Sequence, residues 1–150
     1  VDVLERVRCA LPEAGMKLRK ETKRIIVHHS GSPRTTRLAE IRRWHVQDRG
    51  FDEIGYHFVI EGDGLTLRAR DIHYIGAHAA GANEDSIGVS VVGDNTRLEH
   101  AWSHGQILSL RQLVATLQDV FGPLVVYGHK DAKGGTTATA CPGLDVQTVL

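Results

Sequence analysis

Arg24 to Ser30 reads RIIVHHS, and Gly31 to Thr36 continues it as GSPRTT. Ile25, Ile26 and Val27 form a β-branched run closed by Gly-Ser-Pro, the pattern of a short strand buried on both faces. Beyond the loop, Leu38, Ile41 and Trp44 or His45 recur at helical spacing, with Thr36 as the expected N-cap and Gly50 as the stop. A strand that ends in two adjacent histidines and feeds a helix is the seed of an α/β fold.

Toward the C-terminus, YHFVIEGDGLTLRAR (56–70) has two apolar stretches around Glu61-Gly62-Asp63-Gly64. Glycine supplies the positive φ of a tight turn, so this segment predicts an antiparallel hairpin. SIGVSVVG (86–93) is a further apolar strand. Ser103 with Gln106 forms a capping pair ahead of Ile107, Leu110, Leu113, Val114, Leu117, Val120 and Phe121, and Gly122-Pro123 ends that helix. LVVYGH (124–129) is a last strand ending at His129, and a terminal helix is expected to begin near Asp145. Toward the N-terminus, Asp2 and Glu5 look like a cap for a short helix through Val3, Leu4, Val7 and Leu11, ended by Pro12 and Gly15, with Lys17 to Lys23 as connector. Helices alternating with strands, plus one hairpin, predict a single α/β domain: a mixed central sheet flanked by helices, with residues 1–23 packed on a main unit spanning 24–150.

Composition narrows the function. The 150 residues carry 18 Lys plus Arg against 18 Asp plus Glu, so no bulk positive charge recommends nucleic acid or an anionic membrane as partner. No apolar run approaches the ~20 residues of a membrane-spanning helix. Two cysteines, Cys9 and Cys141, are too few for a disulfide scaffold, and Cys9 reads as a small apolar residue of the first helix. Nine histidines are many for this length and hint at chemistry. Two predicted strands end in histidine, at His28 or His29 and at His129, and a following loop presents Cys141. Ligand sites favour the places where strand ends open into loops. Two imidazoles and a thiolate would give a catalytic zinc its three protein ligands plus one open position. Spacing alone is equally compatible with a satisfied buried histidine and a core thiol.

Four stretches sharpen this: VHHS (27–30), GYHFVI (55–60) with GDG (62–64) after it, GAHAAGANEDSIGVSVVG (76–93) and GHKDAKGGTTATACPGLD (128–145). Together, and in this order, they resemble the zinc N-acetylmuramoyl-L-alanine amidases, which include the amidase-type lysozymes of phages and the peptidoglycan-recognition proteins of animals. The resemblance runs from about Arg24 to Asp145. It implies that one Zn2+ per chain is held by His28, His129 and Cys141, with His29 in a supporting role. Adjacent strand residues point to opposite faces, so only one of His28 and His29 can meet the metal. The same resemblance makes Tyr56 the active-site tyrosine and Thr139 a companion two positions before the cysteine. The His129 to Cys141 stretch is about four residues longer than the family pattern, which leaves Thr136 and Thr137 as rivals for that place. His78 and Asn83 fall in a segment similar to the one lining the substrate groove, and are expected contacts to sugar or peptide. His45, His57, His73, His100 and His104 are read as structural.

The activity implied is hydrolysis of the amide between the lactyl group of N-acetylmuramic acid and L-alanine. The expected partner is peptidoglycan or its muropeptides, the expected state a monomer, and the expected setting a phage or prophage endolysin acting from the host cytoplasm on the wall. Two alternatives belong to other classes. A non-catalytic peptidoglycan-binding module is one, against which the presence of Cys141 counts; a Cys-His hydrolase using Cys141 as nucleophile is the other.

Overall fold

The computed structural model describes residues 15–150. The expected helix over Asp2–Leu11, with Cys9 on it, lies outside the described residues. Five strands form one mixed sheet: β1 (Arg24–His29), β2 (Phe58–Ile60), β3 (Thr66–Arg68), β4 (Ser86–Val91) and β5 (Val125–Gly128). Their spatial order is β3-β2-β4-β1-β5. β1 runs parallel to both β4 and β5, β2 parallel to β4, and β3 closes the edge antiparallel to β2 through the expected Glu61–Gly64 turn.

Side-chain alternation divides the sheet into two working faces. On one, Ile25 and Val27 of β1 and Ile87, Val89 and Val91 of β4 pack against Leu110, Leu113 and Leu117 of the long helix α2 (His104–Phe121). These side chains are almost wholly removed from water. On the other, Ile26 meets Ala79 and Ala82, and β4 contributes only Ser86, Gly88 and Ser90. Small residues there leave room for imidazole rings, and that face carries His28.

The capping pair of α2 is present in both directions. Ser103 Oγ accepts from the Gln106 amide at 3.2 Å, and Gln106 Oε1 accepts from the Ser103 amide at 2.9 Å. Gln106 is fully buried and also donates to the Val92 carbonyl at 2.7 Å, locking the helix start to the end of β4. The first helix departs from expectation. α1 covers Leu38–Arg43, continues as a π-helical turn over Trp44–Asp48, and its N-cap is Arg37 rather than Thr36. Arg37 provides no side-chain cap. The Leu38 amide is met instead by a carboxylate from across the fold: Glu61 Oε2 accepts it at 2.8 Å. The terminal helix reduces to one 3-10 turn, Val146–Thr148, which starts beside Asp145 as expected and is capped by its side chain. The Lys17–Lys23 connector is tied down along residues 73–75: Arg19 donates its amide to the His73 carbonyl at 2.6 Å, and Ile75 donates to Lys17 at 2.8 Å.

Candidate metal centre

His28 is delivered by the C-terminal end of β1 and is 1% exposed. His129 follows β5 directly and opens a 3-10 turn, His129–Asp131. Cys141 comes from the succeeding loop, which is stitched to that turn by the Lys130 amide donating to the Cys141 carbonyl at 2.7 Å. The loop closes over β5 because residue 128 is glycine. A Cβ there would stand 2.6 Å from Cδ of Pro142. The sulfur is further aimed by the His29 amide, which donates to Sγ at 3.4 Å, and the Cys141 amide donates to Thr139 Oγ at 3.1 Å. One ligand atom from each of His28, His129 and Cys141 lies within 4.8 Å of the others, and this group could hold a metal ion.

The donor chemistry fits a zinc-like cation. Burial, reinforced by His129, His29 and His45, holds the His28 imidazole well below its ordinary range. Burial lowers His129 as well, so both rings are neutral and carry a lone pair. The Cys141 thiol is pushed up to about 12 by burial, with only the His29 amide working in the opposite direction. A thiol so raised is a poor nucleophile, and a bound cation is the partner that reverses such a shift.

Tyr56 stands in the loop before β2, its ring 5.0 Å from that of His28, packed on the cluster of Ile41, Ile54, Val59 and Val92. Burial and the neighbouring Cys141 push its phenol up to about 12, only partly offset by Ser90 and Arg49. It therefore keeps its proton and is a donor. His29 points to the other face, where Nδ1 accepts from the Asn95 amide at 3.2 Å. Of the three loop threonines, Thr139 is the one bonded to the Cys141 amide, whereas Thr136 donates its hydroxyl to the Ala80 carbonyl at 3.3 Å.

His78 and Asn83 sit beside this centre, each hydrogen-bonded within the chain. His78 Nδ1 lies 2.9 Å from His28 Nε2, and His78 Nε2 lies 3.3 Å from Ser86 Oγ, so both ring nitrogens are engaged inside the chain. Asn83 Oδ1 accepts from the amides of His78 and Ala79, each at 2.9 Å, and so shapes the turn that carries His78. His45 and His57 are structural as expected: His45 Nδ1 accepts from Gly55 at 2.9 Å, and His57 Nδ1 from Gly88 at 3.0 Å. Sequence reasoning passed over Ser86, Ser90 and Asn95. Asn95 joins three segments, since its amide meets His29, its Nδ2 donates to Pro142 at 2.9 Å and its Oδ1 accepts from Trp102 at 3.0 Å. The signal for the serines was present: two polar residues four positions apart, on one face of an otherwise apolar strand.

Fold and site together define an α/β protein with a three-ligand candidate metal centre at open strand ends. The N-acetylmuramoyl-L-alanine amidase family model matches residues 18–144, and the chain belongs to that family. It is 35% identical over 136 residues to the endolysin of Escherichia phage T7, covering 87% of each chain. It is 31% identical over 115 residues to peptidoglycan-recognition protein SC2 of Drosophila melanogaster, covering 74% of this chain and 59% of that one. Among solved structures, the N-acetylmuramoyl-L-alanine amidase LysC from Clostridium intestinale superimposes with a TM-score of 0.80 at 26% identity, over 93% of this chain and 90% of the other. The Ph2119 endolysin of a Thermus scotoductus bacteriophage gives 0.79 at 27%, over 89% and 86%.

Proposed function

We propose that this N-acetylmuramoyl-L-alanine amidase works as a zinc enzyme on bacterial peptidoglycan, with His28, His129 and Cys141 as the metal ligands, in the setting of a phage or prophage endolysin. The observation that carries the reading is the convergence of three ligand atoms within 4.8 Å at the end of β1. Zinc at such a site acts as a Lewis acid toward a carbonyl and lowers the pKa of its water to about 7.

The chain's own residues supply the rest. Tyr56 retains its proton, with its phenol raised to about 12, and donates a hydrogen bond to the oxyanion that develops on the scissile carbonyl. Thr139 steadies the cysteine loop through the Cys141 amide, and its hydroxyl proton remains available for a second contact at the same place. Neither residue serves as a base. The reading as a binding-only module is disfavoured by the complete donor set.

Digestion of purified wall tests the reading. It should release free L-alanine amino termini without new reducing sugar ends, in step with zinc content. New reducing ends without alanine termini would mean a glycosidase, which needs a pair of carboxylates flanking a sugar linkage.

A further inference from the structure

His78 is set into the sheet with more care than a passing contact requires. Its ring occupies a slot made by two glycines: a Cβ on Gly88 would stand 2.5 Å from the ring, and one on Gly76 2.6 Å from it. Asn83 holds its backbone, as described above. The ring lies between two polar groups, His28 Nε2 at 2.9 Å and Ser86 Oγ at 3.3 Å.

The direction of the hydrogen bonds along this chain follows from counting protons. Ser86 is fully buried and donates its single hydroxyl hydrogen to the Ala82 carbonyl at 2.7 Å, an oxygen that can only accept. Toward His78 it can then only accept, so the His78 proton is on Nε2. In a neutral imidazole one ring nitrogen carries the proton and the other is an acceptor. With the His78 proton on Nε2, Nδ1 is its acceptor. At 2.9 Å from that lone pair, His28 must present an Nε2–H. Its remaining lone pair is on Nδ1.

We propose that His78 is a positioning residue of the metal centre: through the chain Ala82, Ser86, His78, it accepts the Nε2 proton of His28 and reserves His28 Nδ1 for the ion. This rests on the zinc reading given above. An outer hydrogen bond that fixes tautomer and ring orientation raises the basicity of a ligating imidazole, and its loss typically costs 10–100-fold in metal affinity, on the order seen for such partners.

Long-range nitrogen–proton NMR correlations on chelator-treated, nitrogen-15-labelled protein read the tautomers directly. Protons on Nε2 of both His28 and His78 are expected, and a His28 proton on Nδ1 would overturn the proposal. Zinc affinity, measured by competition with a chromophoric chelator, gives the second readout. His78→Leu should weaken binding by about 10–100-fold, whereas His78→Asn, whose Oδ1 can replace the Nδ1 acceptor, should stay within about threefold of the parent. Unchanged affinity in His78→Leu, or equal losses in both variants, would reduce His78 to packing. Should His78→Leu fail to fold, the parent tautomers and the His78→Asn affinity still decide. A parent that binds no zinc in the same titration would remove the zinc reading, while the tautomers would remain readable.

Discussion

The backbone of His29 and the side chain of Cys141 meet across 112 positions of sequence: the His29 amide donates to the sulfur at 3.4 Å. One strand thus offers the centre two different things at consecutive residues, an imidazole from His28 and a backbone donor from His29. A donor aimed at sulfur stabilises a thiolate without adding a competing charge.

Replacing the sulfur should therefore empty the site while leaving the fold. Cys141→Ser and His129→Ala are each expected to lose most of their zinc by elemental analysis, with circular dichroism unchanged. Full metal retention by Cys141→Ser would remove that residue from the ligand set.

Tyr56→Phe deletes only the phenol oxygen and keeps the ring in its cluster with Ile41, Ile54 and Val59. Turnover on wall fragments should fall by roughly 10²–10³, with zinc content and fragment affinity close to the parent's. Because the phenol is raised to about 12, the parent's rate should show no titration of this tyrosine from neutral pH up to about pH 9. Near-parental turnover in the zinc-loaded variant would exclude the role.

Acid should weaken the fold through buried histidines other than the proposed ligands. Burial holds His57 down to about 4, from an ordinary 6.5. Between those values the unfolded chain binds the extra proton, so the contribution is intact above pH 6.5 and is lost as pH falls toward 4. The loss amounts to about 3 kcal/mol for His57 alone. His45, lowered to about 4 chiefly by burial, works in the same direction. Urea unfolding midpoints should drop steadily between about pH 7 and pH 4.5, and a flat profile would contradict the assignment.

Glu61→Ala removes the carboxylate that caps α1 and pairs with Arg37 at 3.1 Å. Stability should fall by about 1–2 kcal/mol in denaturant titration, and a loss within experimental scatter would show the cap to be idle.

Much of this could be read from the chain. β1, the Glu61–Gly64 hairpin and α2 were legible because each rests on neighbours in sequence: a β-branched run, a Gly turn, a capping pair three residues apart. Thr36 misled because a cap can come from anywhere in the fold, and Glu61 reaches Leu38 from 23 residues away. The π-helical turn over Trp44–Asp48 leaves no mark in a pattern of apolar spacing. At the site, motif order pointed to His28, His129 and Cys141. The pairing of His78 with His28 was hidden, since 50 residues separate them and only the register of β1 with β4, His28 beside Ser90, brings the strands together.

The stretch between His129 and Cys141 is not a free appendage. The Thr136 amide donates to the Ala80 carbonyl at 2.9 Å, and a Cβ on Gly81 would stand 2.1 Å from the Gly134 carbonyl oxygen. The ligand-bearing loop is thus moulded on the turn that carries His78. For anyone building chimaeras from related amidases, residues 76–84 and 130–141 form one transplantable cassette: exchanged singly, each would arrive without the surface it was shaped against.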